Sequence, residues 1–255
     1  MKSKDNASET LAKGLKILDL FGVSDAGYTL NQIAGRVGIN KTSVYRYVNT
    51  YCELGYLQRD ERTRLYKLGV RSLALGHAML ENSEIVRLVK PLVDEAHDRH
   101  NVHVDVGIVS GDAIYLIYRR ESKYTTAFRS FSYASDLYYL ATGKAAMASM
   151  EPEELRQLVE RLELHPKTDK TITDKRELLE ELGRVTELGY SYNNEESVPG
   201  LIAIGAPLFS LRTNKVIGGV SFDSATDTHT MKEFERLYSP YLVELAKKIS
   251  AVVSL

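Results

Sequence analysis

The chain of 255 residues contains a single cysteine, Cys52. One cysteine cannot form a disulfide within the chain, and it cannot supply the several thiolates of a cysteine-based zinc finger. No apolar run reaches the roughly 18 residues that a membrane-spanning helix needs. Residues 1–10 are polar and lack the apolar segment of a secretory signal. We therefore expect a reduced, cytoplasmic protein with no membrane partner.

Sequence motifs of common enzymes are also missing. We find no nucleophile-elbow pattern, no Walker loop and no HExxH metal motif. The pair Gly143-Lys144 lacks the upstream glycine and the following Ser or Thr of a phosphate-binding loop. The sequence thus predicts no catalytic residues, no cofactor and no enzyme. Catalysis by the C-terminal half and a purely architectural role on DNA stay open as alternatives.

Charge is unevenly distributed, although the net charge is only −1. Residues 1–67 contain 11 Lys and Arg against 7 Asp and Glu, whereas the rest of the chain contains 22 against 27. A basic N-terminal part on an acidic body is typical of a protein whose first domain meets phosphate groups. The length is sufficient for two domains, each with its own core.

Three short helices are predicted near the start of the chain. Residues 7–22 carry one apolar stripe at helical spacing, formed by Leu11, Leu15, Leu18 and Phe21. A second helix opens at Thr29, which forms a capping box with Gln32. The third helix runs over residues 41–54 and stops at Gly55, because glycine is favoured just after a helix end.

The spacing around the turn at residues 38–40 is typical of a helix-turn-helix. Ala34 lets two helices approach closely, and Gly38 permits the positive φ of the turn. Val44 then packs the third helix against the second. We expect this motif to form the core of a DNA-binding domain over residues 1–69.

The polar side of the third helix is the predicted DNA-reading surface. Its members are Lys41, Thr42, Ser43, Tyr45, Arg46 and Asn49. Residues 56–59 and 65–68 are predicted strands around a polar turn, which makes this hairpin a wing. Arg62 and Arg64 in that turn are expected to hold DNA phosphates.

An α+β domain is predicted for the rest of the chain. Residues 70–82 form a linker helix, and residues 83–255 form the second domain. Strand patterns over 102–109, 113–118, 202–208 and 216–222 alternate with helical ones. Helices flanking a central antiparallel sheet are typical of a domain that senses small molecules.

The chain resembles the IclR family of bacterial and archaeal transcription regulators over nearly its whole length. The N-terminal motifs are LKILD at 15–19, LNQIA at 30–34, NKTSVYR at 40–46, ELGYL at 53–57 and YKLG at 66–69. The C-terminal motifs are ATGKA at 141–145, GYSYNNEE at 189–196 and GLIAI at 200–204. The resemblance implies a GAF-like effector-binding domain, a homodimer or tetramer, and binding to a double-stranded DNA operator of a catabolic operon. Action as a repressor and action as an activator both stay open.

The resemblance also implies an effector pocket. Its wall would contain Ala141, Thr142, Gly143, Asn193, Ala203, Ser221 and Asp223. Asp223 stands where the family often has Ser, and this extra carboxylate disfavours a simple anionic effector. A sugar derivative, a polyol or a larger organic acid is the expected class of ligand. Five nearby aromatic residues could stack on it: Tyr124, Phe128, Tyr133, Tyr138 and Tyr139.

A metal site is the remaining alternative for the second domain. His97, His100, His103 and Asp105 lie close together in the sequence and are suitable zinc ligands. The first two are predicted on a helix and the last two on a strand. The interpretation without a metal is that these histidines are ordinary, partly exposed side chains.

Overall fold

The computed structural model describes residues 8–23, 27–122 and 134–253. The described residues up to Asn82 form one compact unit, and those from Ser83 onward form a second. Within the described ranges, no helix combines the length and the apolar character required to cross a bilayer.

The described residues of the N-terminal unit form four α-helices, a short 3₁₀ helix and one hairpin. The helices are α1 (Glu9–Asp19), α2 (Leu30–Val37), α3 (Lys41–Glu53) and α4 (Val70–Glu81). The strands β1 (Leu57–Arg59) and β2 (Tyr66–Leu68) pair antiparallel, as predicted for the wing. Tyr28 extends this hairpin through a bridge to Tyr66, with N···O distances of 3.0 and 2.8 Å.

The apolar stripe predicted for the first helix is only partly correct. The residues of α1 that are buried are Gly14 and Ile17, and Phe21 is buried in the 3₁₀ turn that follows. Leu11 and Leu15 are 61% and 49% exposed. The stripe is therefore split, because only one edge of it faces α2 and α3. No described residue covers the other edge, where Leu11 and Leu15 lie.

The turn between α2 and α3 has the predicted geometry. Gly38 ends α2 in the left-handed region with φ 67°, and its N–H bonds back to the Ala34 carbonyl. The side chain of Asn40 then caps α3 by accepting the N–H of Ser43 at 2.9 Å. Val44 and Val48 are fully buried against the neighbouring helices, and this contact fixes which side of α3 faces outward.

The C-terminal unit is a six-stranded antiparallel sheet with helices on both faces. Its strands are β3 (His103–Ser110), β4 (Ala113–Arg120), β5 (Ala134–Asp136), β6 (Ser191–Asn194), β7 (Leu201–Ser210) and β8 (Lys215–Ala225), in the order β5-β4-β3-β8-β7-β6. Its helices are α5 (Glu84–His100), α6 (Ala141–Ala148), α7 (Pro152–Arg161), α8 (Lys175–Leu188) and α9 (Met231–Val252). The antiparallel sheet is as predicted, although β5 and β6 were not anticipated.

Alternation along the strands separates two faces of the sheet. Val104, Val220 and Phe222 are fully buried on one face, under α5 and α9. The opposite face is partly covered by α6 and contains small and polar residues. Two glycines allow α6 to lie this close to the sheet. A Cβ on Gly205 would lie 2.3 Å from the Ala141 oxygen, and a Cβ on Gly219 would lie 2.4 Å from the Thr142 oxygen.

Candidate functional site

The outward side of α3 is exposed and polar in the N-terminal unit. Lys41, Thr42 and Arg46 are exposed, and Tyr45 is 49% exposed. Ser43 and Asn49 are half-buried at the edges of this surface. None of the six predicted DNA-reading residues is taken into the core of the described chain, so the whole set is available to a groove of DNA.

The wing presents its predicted arginines to solvent. The carboxylate of Asp60 accepts the backbone N–H groups of Arg62 at 2.8 Å and Thr63 at 2.9 Å, and these bonds lower the pKa of Asp60. Arg64 has a positive φ of 61° and a side chain that is 65% exposed. Arg59 instead lies over the Tyr66 ring at 5.6 Å. Arg62 and Arg64 are thus the arginines of the turn that face outward.

The predicted effector residues lie on the sheet face that carries α6. The register places His103, Asp223, Ala203 and Asn193 in one row across β3, β8, β7 and β6. The next row is Asp105, Ser221, Gly205 and Ser191. Six of the seven predicted residues are buried, and Asp223 is half-buried. The tertiary fold therefore brings together motifs that are 80 residues apart in the sequence.

The first turn of α6 lies directly on this face. Its N-cap residue is Leu140, whose side chain makes no capping hydrogen bond to the first N–H groups. The carbonyl of Ala141 accepts the Ser191 hydroxyl, which holds the turn against β6. A helix start with uncapped N–H groups favours carboxylate or hydroxyl oxygens of a ligand.

Asn193 is engaged within the protein. Its amide nitrogen donates to the Tyr139 carbonyl at 2.9 Å and to Ser197 Oγ at 2.8 Å, and its oxygen accepts the Glu196 N–H at 2.8 Å. Both amide hydrogens are therefore used. The side chain holds the segment after β6 against the residues that precede α6, and so shapes the site from behind.

A charged cluster that the sequence only partly indicated lies beside Ser221. Arg119 on β4 donates from Nε to Asp105 Oδ1 at 2.7 Å and from Nη2 to Oδ2 at 2.6 Å. His103 Nε2 contacts the same Oδ1 at 2.9 Å and lies 3.9 Å from Asp223 Oδ2. Ser221 Oγ donates to Asp223 Oδ1 at 2.7 Å. Arg119 had no sequence signal, since the predicted strand stops at residue 118 and the observed β4 continues to Arg120.

Burial and charge act in opposite directions in this cluster. Burial favours the neutral form of Asp105, but Arg119 and His103 outweigh it and lower the pKa of Asp105 to about 2. Burial and the charge of Asp105 raise the pKa of Asp223 to about 6. Burial disfavours the charged form of His103, yet the two carboxylates raise its pKa. Asp223 is thus the carboxylate whose charge is least compensated.

The four residues of the predicted metal alternative do not converge. His97 Nδ1 lies 2.8 Å from the Val102 carbonyl, and the His100 ring stacks on Tyr241 at 4.3 Å between centroids. Neither belongs to the cluster of His103 and Asp105. The ligand set His97, His100, His103 and Asp105 is therefore wrong. The imidazole ring of His97 faces the turn after α5, and that of His100 faces α9.

The aromatic residues predicted to stack on the effector differ in their burial. Tyr138 is fully buried, and its hydroxyl donates to the His165 carbonyl at 2.8 Å. Tyr139 is half-buried, with Lys167 5.1 Å from its ring centroid. Tyr124, Phe128 and Tyr133 lie outside the described residues. Stacking on a ligand stays a prediction for these aromatic side chains.

Lys144 is a buried residue that the sequence did not mark as important. Its Nζ lies 2.7 Å from Glu196 Oε1 and 3.3 Å from Glu181 Oε1, with Lys144 completely buried. Arg184 pairs with the other oxygen of Glu181. The ion pairs tie α6 to α8 and to the segment after β6, so they hold the helix that carries three of the predicted effector residues.

One unit has an exposed helix-turn-helix surface, and the other has a sheet face with buried polar side chains beneath the start of a helix. Together they are typical of one class of protein, the DNA-binding transcription regulator with an effector domain. Residues 10–61 match the IclR helix-turn-helix domain, and residues 77–251 match the C-terminal domain of bacterial transcriptional regulator IclR. The chain belongs to the IclR family. The family consists of transcription regulators and not of enzymes, which confirms the expectation from the missing catalytic motifs.

Individual relatives match over almost the entire chain. The transcriptional regulator KdgR of Escherichia coli is 30% identical over 251 residues, covering 98% of this chain and 94% of KdgR. The crystal structure of Thermotoga maritima IclR is 27% identical, with a TM-score of 0.68 and coverage of 96% and 99%. An IclR homolog of Microbacterium hydrocarbonoxydans, solved with 4-hydroxybenzoate, shares the fold at 20% identity and a TM-score of 0.68, with coverage of 96% and 99%.

Proposed function

We propose that this regulator binds a double-stranded operator through α3 and the wing, and that a small metabolite bound in the C-terminal unit changes this binding. It acts in the cytoplasm as a homodimer or tetramer and controls a catabolic operon. The observation that carries the proposal is the surface of α3, where exposed Thr42, Tyr45 and Arg46 stand opposite buried Val44 and Val48.

The reading residues have distinct proposed roles. Arg46 and Asn49 contact base edges in the major groove, because guanidinium and amide groups match the acceptors of guanine and adenine. Thr42, Ser43 and Tyr45 contact bases or phosphates near the start of α3. Lys41, Arg62 and Arg64 hold phosphates on either side. The Asn40 cap holds the first turn of α3 and so fixes the angle at which this helix would enter the groove.

Arg46→Ala tests the DNA-binding surface. We expect operator affinity to fall by about tenfold to a hundredfold, since a bidentate base contact is worth about 1–3 kcal/mol. The measurement is a gel shift or fluorescence anisotropy titration at fixed salt, with specific and scrambled duplexes. A matched control is Arg87→Ala, which removes an arginine with a 78% exposed side chain from α5 in the other unit.

Two results bear against the proposal. If Arg46→Ala binds the operator as tightly as the unchanged protein, Arg46 does not read DNA. If Arg46→Ala and Arg87→Ala weaken binding equally on both duplexes, the effect is loss of positive charge and not groove recognition.

The effector site is proposed at the first turn of α6 and the facing rows of β7 and β8. Ala141, Thr142 and Gly143 offer backbone N–H groups, while Ser221 and Asp223 offer a hydroxyl and a carboxylate. Ala203 leaves space for a ligand because its side chain is small, and Asn193 holds the neighbouring segment after β6 in place. Hydroxyl donors pair well with Asp223, so a sugar derivative, a polyol or a hydroxylated organic acid fits this set. The homolog solved with 4-hydroxybenzoate supports the organic-acid end of this range.

A further inference from the structure

The core-facing side of the wing hairpin ends in an exposed arginine. The register places Tyr28, Tyr66 and Arg59 in one row across three extended segments, so their side chains lie on the same face. Tyr28 and Tyr66 are only 7% and 3% exposed, because this face packs against the helices of the unit. Arg59 shares the face and is exposed. It therefore stands where the core of the unit meets solvent, and not on the outer side of the hairpin.

The guanidinium of Arg59 lies at the junction of the hairpin and α3. Its Cζ is 5.6 Å from the centre of the Tyr66 ring. Burial raises the pKa of the Cys52 thiol on α3, and the positive charge of Arg59 partly opposes this rise. Burial likewise raises the pKa of Tyr66, with Arg59 opposing the rise and Cys52 and Tyr45 adding to it. Tyr45, Asn49 and Cys52 follow one face of α3 at helical spacing, so Arg59 stands beside the face with two predicted DNA-reading residues.

The charge of Arg59 has no acidic partner within the described ranges, where its guanidinium forms no ion pair and no hydrogen bond. The acidic groups of the adjacent turn are engaged elsewhere. Asp60 accepts backbone N–H groups of the turn, and Glu61 Oε2 lies 4.0 Å from Arg64 Nη1. A guanidinium that stacks on an aromatic ring has already lost part of its rotamer freedom, so less is lost when it meets an anion. Arg59 is therefore a cation that is oriented before it binds.

We propose, on the basis of the proposed function, that Arg59 binds a phosphate of the DNA strand that passes between α3 and the wing, and that Tyr66 is the positioning residue for it. With α3 in the major groove and the hairpin turn beside the next groove, the backbone that separates the two grooves runs past their junction. Arg59 stands at this junction, whereas Arg62 and Arg64 lie in the turn beyond it. The contact fixes the position of α3 on the duplex and does not read sequence.

Neutral phosphates locate the contact. The unchanged protein first selects a duplex from a random-sequence library, and methylphosphonate linkages then replace the phosphates of this duplex one at a time. We expect the unchanged protein to lose about threefold to tenfold in affinity at the contacted phosphate, the scale of one charge contact. Arg59→Gln should bind the duplex with all its phosphates more weakly by the same factor. It should show no further loss at that one position, because the partner of the phosphate is already gone.

Salt dependence and sequence dependence separate a phosphate contact from a base contact. Arg59→Gln should reduce the slope of log K against log salt concentration by about 0.9 and weaken binding to the selected and a shuffled duplex alike. Arg46→Ala should weaken mainly binding to the selected duplex. Arg71→Gln is the matched control, since Arg71 also lies over a tyrosine ring, that of Tyr56 at 5.2 Å, but donates from Nη1 to the Leu54 carbonyl. We expect the affinity and the salt slope of this control to stay unchanged.

Substitutions of Tyr66 test its positioning role. Tyr66→Phe retains the aromatic face and should bind DNA as the unchanged chain does, whereas Tyr66→Leu should show part of the loss seen in Arg59→Gln. Adding Tyr66→Leu to Arg59→Gln should cost no further affinity, because the ring acts through the guanidinium. A role in the core alone would lower the free energy of unfolding and leave the salt slope unchanged. Circular dichroism verifies folding, and Arg59→Lys, which keeps the charge without the planar group, replaces Tyr66→Leu if that variant does not fold; it should bind with intermediate affinity.

Three results overturn the inference. They are an unchanged affinity and salt slope in folded Arg59→Gln, a loss confined to the selected duplex, which would make Arg59 a base-reading residue, or the same slope change in Arg71→Gln. The proposed function is judged separately by Arg46→Ala. If Arg46→Ala weakens binding and Arg59→Gln does not, α3 reads DNA and Arg59 has no part in it. If neither substitution changes binding, the proposed function fails as well.

Discussion

Lys144 shows how a single side chain supports the effector site. It sits in the first turns of α6 with no exposure, and it faces two carboxylates, Glu181 and Glu196. Burial raises the pKa of Glu196 even with this ammonium group beside it. The cation therefore compensates the charge of Glu196 and shares Glu181 with Arg184.

Lys144→Met should destabilise the C-terminal unit strongly. Removing one partner of a buried ion pair costs about 3–5 kcal/mol. Here Glu196 would stay buried without its cation, while Glu181 would retain Arg184. Urea unfolding followed by circular dichroism measures the change. Lys248→Met is the control, since Lys248 is 48% exposed in a pair with Glu244 and should cost less than about 1 kcal/mol. A Lys144→Met protein as stable as the unchanged chain would contradict the role of the pairs.

At the scale of a single element, the helix α4 has an apolar surface that is not buried within the described chain. Its N-terminal residues are tied to the segment between α3 and β1, with Arg71 donating to the Leu54 carbonyl at 3.1 Å and Ser72 to the Tyr56 carbonyl at 2.8 Å. Beyond them, Leu73, Leu75 and Met79 are 72%, 63% and 66% exposed. An apolar helix with no buried residue is typical of a surface that a second subunit covers. Leu11 and Leu15 add to the exposed apolar surface of the same unit.

Leu73→Glu should weaken self-association. Burying a leucine is worth about 1.5–3 kcal/mol, and a symmetric dimer loses the side chain twice. We expect sedimentation or light scattering to show the subunit equilibrium shifted toward monomer by at least about tenfold. Leu211→Glu changes a leucine of similar exposure, 62%, in the C-terminal unit and serves as the control. Dissociation by Leu211→Glu alone would place the interface elsewhere.

At the scale of the whole molecule, the two proposed sites lie in different compact units. The DNA-reading residues belong to the unit that ends at Asn82, and the effector residues to the one that begins at Ser83. A regulator needs the two binding events to be coupled, so the effector must bind the two functional states with unequal affinity. Substitutions in the effector site should therefore change the response and not the ability to bind DNA.

A ligand screen measures this coupling. Among sugar acids, polyols and aromatic acids, we expect one class to raise the melting temperature and to change operator affinity by about fivefold to 150-fold. Asp223→Asn should reduce that response while operator affinity without ligand stays within about twofold of the unchanged protein. Simultaneous loss of both activities in a folded Asp223→Asn protein would show that the division between the units is wrong.

The local structure of this chain was set by the sequence to a large extent. The capping box at Thr29, the positive φ of Gly38 and the end of the third helix near Gly55 are as predicted. These features depend on residues within one helical turn, so spacing and side-chain chemistry are sufficient to identify them. The family motifs likewise lie in short continuous segments.

Only the tertiary structure determined the features that depend on contacts between distant segments of the chain. Only the sheet register brings His103 and Asp105 to Asp223, which is more than 110 residues away, and only packing separates buried Ile17 from exposed Leu11. The same packing turned His97 and His100 away from the cluster. Periodicity predicts which residues of a helix or strand share a face. It does not predict which other element packs against that face, because this depends on the whole fold. The chemistry of a site made from several strands therefore becomes known only with the tertiary structure.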